Sequence, residues 1–381
     1  MPDKIKFFTA DYRDKFVYIG KNKFKVGSFV VDFLNRFYED DTAARISCMT
    51  QDNYFVSKHM ELGFVNENEF LRARDEILYI LNVLPRLLPF NLLDVESEKK
   101  LIQETFTKEN AAYLMEYYTR RAEVSLKDEG AHLFAITPDG YNEFCKEATA
   151  FVNRVSYLLK FYDSFREDFD KAHTKLIAFV KGLDSLEKYN ESNLLVHAYK
   201  IFGTNRFNVG VEYVPISKSG KNNDKILVKR LHFRNYYSFI LTDFFEGLAL
   251  GHYPRRCEVC KSYFLMENAR RQKYCTGYAP LELTGGKELT CRQYAAKMGK
   301  KEKAADDPIK TLYEKRCSCI RAEASAPKNA IDKKFAEIAK KLAKELKIHA
   351  DYDDNYTFEE YQRDMERDNL YKMADLIYKQ K

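Results

Sequence analysis

Four cysteines in the last third of the chain have the spacing of metal ligands. Cys257 and Cys260 form a C-x2-C pair, Cys275 follows after fourteen intervening residues, and Cys291 follows after a further fifteen. A C-x2-C pair presents two thiolates to one ion, and structural Zn²⁺ takes four such ligands at about 2.3 Å in a tetrahedron. The sequence therefore predicts one structural zinc ion bound by Cys257, Cys260, Cys275 and Cys291.

The surroundings of these cysteines argue against simple burial, which is the alternative explanation because free cysteine is among the most buried residue types. Four of the eight cysteines fall within 35 consecutive positions, among Arg and Lys rather than apolar neighbours. His252 is a candidate to replace one thiolate. Cys317 shares a helix face with apolar residues, so we assign it to packing and not to metal binding.

The segment that contains the four cysteines is strongly basic. Residues 254–303 contain twelve Lys or Arg against five Glu, whereas the formal net charge of the whole chain is only +6. Clustered cations of this kind neutralise phosphates and release counterions, which favours nucleic-acid binding; a solvated surface is the alternative. The predicted nucleic-acid contacts are Arg255, Arg256, Arg270, Arg271, Lys273, Arg292, Lys297, Lys300 and Lys301.

Aromatic residues interleave with these charges. They can stack on unpaired bases, or they can simply pack the small module. The residues concerned are Tyr263, Phe264, Tyr274 and Tyr294.

The elements that position this module are predicted to be mainly α-helical with one β-hairpin. Apolar residues recur at helical spacing in 69–84, 109–122, 139–182 (with breaks) and 191–202. Two segments rich in β-branched residues, 209–216 and 224–233, flank the turn-forming SKSGKNN and predict the hairpin. Cys291 precedes RQYAAKMGKK, which has the pattern of a helix start.

A chain of 381 residues exceeds the usual size of a single core, so more than one folded unit is expected. We predict a mostly helical N-terminal domain over 1–250, with its hairpin near 209–233. A basic zinc module of treble-clef or ribbon type follows over 251–303. A helical C-terminal extension occupies 304–381, where Asp307 and Pro308 provide a helix start.

Several classes of protein are not indicated. No apolar run approaches the roughly 18–20 residues of a membrane-spanning helix, and the first residues lack the apolar run of a signal peptide, so a cytoplasmic location is expected. Walker, G-x-G-x-x-G, H-E-x-x-H and deaminase motifs are missing, which argues against an enzyme and a small-molecule cofactor. Zinc held by four thiolates also lacks the open position of catalytic zinc.

The strings PRRCEVCKSYF, ARRQKYC and CRQYAAKMG resemble an uncharacterised bacterial family, domain of unknown function 6076, over roughly residues 239–320. More distantly they resemble CGNR-type zinc fingers, which are associated with DNA-binding bacterial regulators. In those fingers a C-x2-C pair, an aromatic residue and an Arg-rich stretch precede a closing cysteine pair and a helix. Here Arg-Gln-Tyr follows Cys291 in place of Gly-Asn-Arg, and the last two cysteines lie farther apart.

The resemblance implies the same four cysteine ligands and a DNA-binding role. The basic segment widens the expected partner to DNA or RNA. Together with the basic segment, the resemblance favours a bacterial regulator or a mobile-element accessory protein with no membrane contact. The alternatives are an adaptor that uses the zinc module as a protein-binding platform and, less favoured, an enzyme with its site in the N-terminal domain.

Overall fold

The structure is a computed structural model of the chain. It describes residues 5–38, 40–48, 52–128, 141–186, 190–204, 208–217, 225–268, 272–326 and 331–379. Contacts divide the chain into two units, Met1–Cys275 and Thr276–Lys381. The predicted domain boundaries near residues 250 and 303 stay predictions.

Helices dominate the first unit, and the fold class is mainly α with some β, as predicted. Two 3-10 helices, Leu84–Arg86 and Phe90–Leu92, occur among the α-helices. The described α-helices of this unit are α1 (Ser28–Tyr38), α2 (Thr42–Ser47), α3 (Asp52–Glu61), α4 (Glu67–Val83), α5 (Val95–Thr105), α6 (Lys108–Asp128), α7 (Tyr141–Leu183), α8 (Glu191–Phe202) and α9 (Tyr236–Ala249).

The long helix α7 corrects one prediction. The segment 139–182 was expected to be helical with breaks, but α7 is continuous from Tyr141 to Leu183. It contains no proline, and its single glycine, Gly182, lies at its end, so nothing in the sequence interrupts the helix. Because α7 packs against α3, α8 and α9, it runs through the core of the first unit.

A five-stranded antiparallel sheet covers part of this helical core, in the strand order β3-β2-β1-β5-β4. The strands β4 and β5 form the predicted hairpin, and their connecting residues 218–224 lie outside the described residues. The three N-terminal strands were not predicted. The strands are β1 (Phe8–Arg13), β2 (Phe16–Ile19), β3 (Asn22–Lys25), β4 (Gly210–Ser217) and β5 (Lys225–Phe233).

The second unit is helical and has a core of its own, to which Ile320, Ala339 and Leu370 belong. The side chain of Asp307 accepts the Lys310 N–H at 2.8 Å, which confirms the predicted helix start. The described helices of this unit are α10 (Leu281–Thr284), α11 (Cys291–Asp306), α12 (Pro308–Ser325), α13 (Lys333–Tyr352), α14 (Phe358–Asp364) and α15 (Arg367–Lys379).

A buried carboxylate fixes the start of α1. One oxygen of Asp243, in α9, accepts the Gly27 N–H at 2.8 Å. The other oxygen accepts the N–H groups of Phe29 and Val30 at 3.0 and 3.2 Å. These are N–H groups that a helix start leaves without an intrahelical partner. Burial raises the pKa of Asp243 to about 7, against the lowering effect of the three N–H donors.

The same region requires close approach of two glycines. A Cβ added to Gly27, whose φ is +92°, would lie 2.9 Å from Leu265, and one added to Gly247 would lie 3.3 Å from the Gly27 Cα. The buried His252 donates from Nδ1 to the Val26 carbonyl at 2.9 Å. These contacts link α9 and the segment after it to the start of α1.

An Asp243→Ala substitution is expected to destabilise the protein by about 3 kcal/mol, because it leaves three N–H groups without their acceptor. Chemical denaturation followed by circular dichroism measures this change. Asp75→Ala, at an exposed position, is the matched control and should change stability by less than about 0.5 kcal/mol. Equal effects of the two substitutions would refute the capping role.

A second buried carboxylate predicts pH dependence. Asp168 of α7 accepts the Tyr237 N–H at 3.2 Å, and burial raises its pKa to about 6. A carboxyl with a raised pKa contributes stability below about pH 4 and loses it as the pH rises through 6. The melting temperature of Asp168→Asn should therefore gain on that of the unmodified protein between about pH 4 and 6. A constant difference between the two across this range would exclude the effect.

Candidate metal centre

The first two cysteines lie in the turn of a small hairpin that ends the first unit. Its strands are β6 (Tyr253–Arg256) and β7 (Tyr263–Met266), which pair antiparallel. In the turn, the Cys257 N–H donates to the Ser262 carbonyl at 2.9 Å and the Lys261 N–H donates to the Cys257 carbonyl at 3.1 Å. Lys261 adopts a φ of +66°, which closes this turn. The backbone therefore holds the C-x2-C pair in a knuckle.

A side chain from α1 fixes this hairpin in place. Asn35 accepts the Tyr263 N–H at 2.7 Å through Oδ1 and donates to the Tyr263 carbonyl at 3.0 Å through Nδ2. The Asn35 amide thus makes the two backbone hydrogen bonds that a neighbouring strand would make at this edge of β7. Sequence reasoning missed this contact, because nothing local to Asn35 shows a partner 228 positions away.

Cys275 joins the first pair through the backbone. The Glu258 N–H donates to the Lys273 carbonyl at 3.0 Å, which aligns the segment before Cys275 with the knuckle. The Cys275 N–H then donates to the Cys257 sulfur at 3.4 Å. The sulfurs of Cys260 and Cys275 lie 3.6 Å apart.

The fourth cysteine begins α11, as the sequence predicts. Thr290 and Gln293 cap this helix reciprocally: Thr290 Oγ1 accepts the Gln293 N–H at 3.2 Å, and Gln293 Oε1 accepts the Thr290 N–H at 2.9 Å. The Cys291 N–H donates to the Gly277 carbonyl at 3.0 Å, and Cys291 is fully buried. A thiolate is favoured at such a helix start because of the free N–H groups and the helix dipole.

All four predicted ligands come together. The sulfurs of Cys257, Cys260, Cys275 and Cys291 lie within 4.8 Å of one another, and they cluster at 3.6–3.8 Å. Four sulfurs placed tetrahedrally at about 2.3 Å from one ion would be separated by about 3.8 Å. The geometry therefore suits a single metal ion.

The thiol of Cys257 is prepared for this role. Burial raises its pKa, but the N–H groups of Cys275, Cys260 and Val259 lower it by more. The resulting pKa is about 7, below the ordinary value of a thiol. A substantial fraction is thus thiolate at neutral pH, the form that binds metals. His252, the alternative ligand, is not among the clustered residues and uses Nδ1 to bind the Val26 carbonyl.

Four of the predicted nucleic-acid contacts are exposed on α11: Arg292, Lys297, Lys300 and Lys301. The three lysines lie along one side of the helix, where they border a shallow depression together with Gln293 and Ala296. Within the described part of the chain, none of these four cations forms an ion pair. They therefore leave their charge available to an external anion.

The other predicted contacts are more varied. Arg256 is exposed and donates to the Lys261 carbonyl, and Lys273 lies 3.2 Å from a Glu258 carboxylate oxygen. Arg255 is only 3% exposed and bonds Asp184 at 3.0 Å, so an external phosphate has little access to it. Arg270 and Arg271 lie outside the described residues.

The aromatic residues of the module are largely covered. Tyr263 is buried and stacks on Tyr38, with their ring centroids 6.1 Å apart. Phe264, Tyr274 and Tyr294 are half-buried. For Tyr263 this agrees with packing and not with base stacking. Cys317 is also buried, in agreement with its assignment to packing.

None of the described helices combines the length and apolar character needed to cross a membrane.

Comparison with known protein families finds similarity over part of the chain. No curated protein and no solved structure matches the chain. The likeness to CGNR-type fingers has no support from the family comparison and stays a prediction. Residues 204–377, which include all four clustered cysteines, match a family of unknown function (DUF6076).

Proposed function

We propose that the cysteine cluster binds one structural zinc ion and that α11 binds nucleic-acid phosphates. The observation that carries the proposal is the convergence of four thiol sulfurs at 3.6–3.8 Å, with the last of them at the start of a helix whose basic side is unpaired within the described part of the chain. The metal supplies structure and the helix supplies the contacts.

Zinc is favoured over other metals by the ligand set. Four soft thiolates in a tetrahedron select zinc or iron, whereas calcium and magnesium require oxygen ligands. Four protein ligands leave no open position for water, so we propose a structural and not a catalytic ion. Elemental analysis of the purified protein separates zinc from iron directly.

Phosphate binding is favoured by the arrangement of charge on α11. Lys297, Lys300 and Lys301 fall at helical spacings of three and four residues, so their ammonium groups point to the same side. Ammonium groups act as point charges that bind phosphates without reading base sequence. We therefore propose backbone binding with little sequence preference.

The proposal is tested by measuring zinc content and then the binding of duplex and single-stranded DNA and RNA at two salt concentrations. About one zinc per chain and an affinity that falls steeply with salt would support it. A protein without zinc would contradict the proposed metal site. Binding that is absent or independent of salt would contradict the proposed nucleic-acid contact.

A protein-binding adaptor is the second candidate, and one feature favours it. The loop between Cys275 and Cys291 exposes apolar side chains: Tyr278 is 68% exposed, Leu281 57% and Leu283 49%. The Ala279 N–H donates to the Leu289 carbonyl at 2.8 Å and closes the base of this loop. Zinc content without nucleic-acid binding would favour this candidate.

A cytoplasmic location is part of the proposal, because a reducing compartment keeps the thiols available to the metal. Nucleic-acid binding there would suit a bacterial regulator or a mobile-element accessory protein.

A further inference from the structure

The four clustered cysteines differ in their access to solvent. Cys257 is 1% exposed and Cys291 is fully buried, whereas Cys260 and Cys275 are partly exposed. The sulfurs of the two accessible residues are neighbours, 3.6 Å apart. An oxidant in solution therefore has better access to Cys260 and Cys275 than to the two buried cysteines.

We propose that a hydroperoxide converts Cys260 and Cys275 into a disulfide and thereby releases the metal. The inference rests on the proposed zinc site, and it does not depend on nucleic-acid binding. It makes the metal centre a reversible redox switch and not only a structural support.

The chemistry balances with a hydroperoxide as the only oxidant. One thiolate sulfur attacks a peroxide oxygen, so an S–O bond forms, the O–O bond breaks, and the leaving oxygen takes up a proton. The second thiolate then attacks the sulfenic sulfur, forming the S–S bond and expelling hydroxide, which takes up a second proton. Two thiolates lose two electrons, the peroxide gains them, and Zn²⁺ keeps its charge.

The local backbone favours this pair over the others. A disulfide needs the two sulfurs at about 2.05 Å, so each must move by under about 1 Å from their present 3.6 Å separation. Cys260 lies in the knuckle turn and Cys275 in an irregular segment, where small backbone shifts are less costly than in a helix. Cys291 is held by its helix, and Cys257 is buried.

Zinc release follows from the loss of two ligands. A disulfide sulfur no longer carries the thiolate charge that binds zinc, so only two thiolates remain. A thiol reductant restores both ligands, and zinc can bind again.

The test uses the full-length, zinc-loaded protein with hydrogen peroxide as the oxidant and a chromophoric chelator to follow zinc. We expect release of about one zinc per chain, reversed by dithiothreitol and added zinc. Peptide mapping after alkylation should find Cys260 linked to Cys275, with Cys257 and Cys291 alkylated. A triple variant, Cys48→Ser with Cys145→Ser and Cys319→Ser, removes the accessible thiols outside the cluster and should release zinc equally.

The outcomes separate this inference from the proposed function. Retention of zinc, a different linkage, or release only when the three outside thiols are present would overturn the switch while leaving the zinc site intact. Absence of zinc before the oxidant is added would overturn both. If the reduced, zinc-loaded protein does not bind nucleic acid, the proposed nucleic-acid function is contradicted and the redox switch is not.

Discussion

A Cys260→Ser, Cys275→Ser variant is expected to contain no zinc, where the unmodified protein contains about one ion per chain. Serine does not supply a thiolate, and the two remaining cysteines complete only half of a tetrahedron. Zinc bound to small four-ligand modules contributes apparent free energies of about 10–16 kcal/mol, so its loss should unfold the hairpin and the segment that leads to Cys275. Elemental analysis measures the first effect, and limited proteolysis around residues 257–291 measures the second.

The control for this variant replaces two cysteines outside the cluster. Cys48→Ser with Cys319→Ser removes the same number of thiols but leaves all four sulfurs of the cluster in place. It should keep the full zinc content and the proteolytic resistance of the unmodified protein. Zinc retained by the Cys260, Cys275 variant would show that the metal is bound elsewhere, and the central proposal would be wrong.

The four-cysteine cluster could be predicted because its information is local. Two ligands are separated by two residues, and the knuckle is closed by backbone bonds among Cys257, Lys261 and Ser262. Such contacts depend on short-range spacing, which a single sequence displays. The helix start at Cys291 is readable for the same reason, since its caps are three residues apart.

The contacts that position the cluster could not be predicted, because they join distant parts of the chain. Asn35 reaches Tyr263, and Asp243 binds the N–H groups at the start of α1. Asp243 offered one weak signal, since it is an acidic residue within the apolar run of α9. That signal shows burial but not the partner.

The first three strands were missed for a related reason. They have only six, four and four residues. The strand β1 is held in the sheet by its pairing with β5, which lies far away in the sequence, and β2 pairs with β1 and β3 with β2. The alternation of buried and partly exposed residues in β1 is regular, but an isolated run of six residues is also compatible with a helix or a loop.

Arg255 shows that charge composition alone overstates a binding surface. It belongs to the same basic segment as its neighbour Arg256, yet its side chain is buried and donates to Asp184. Nine residues were predicted to contact nucleic acid. Among those that the structure describes, the cations on α11 are exposed and form no ion pair. The decisive mutations therefore belong on that helix.

Reversal of three charges on α11 is expected to abolish most nucleic-acid binding. A Lys297→Glu, Lys300→Glu, Lys301→Glu variant removes three phosphate contacts and adds repulsion, so affinity should fall on the order of 100-fold at low salt. Each lost contact also reduces the slope of log K against log salt by about 0.9 for duplex DNA, giving a slope flatter by about 2.7. Fluorescence anisotropy over a series of salt concentrations measures both quantities.

A matched charge change elsewhere separates local contacts from net charge. Lys146, Lys160 and Lys200 are exposed lysines of the first unit, and their replacement by Glu changes the net charge equally. This control should retain the salt slope of the unmodified protein, and both variants should keep their zinc, because none of the six lysines is a ligand. If the two triple variants lose affinity equally, binding depends on overall charge and α11 is not the contact surface. If neither loses affinity, nucleic acid binds outside α11, because the slope is set by the phosphates actually contacted and these lysines contact none.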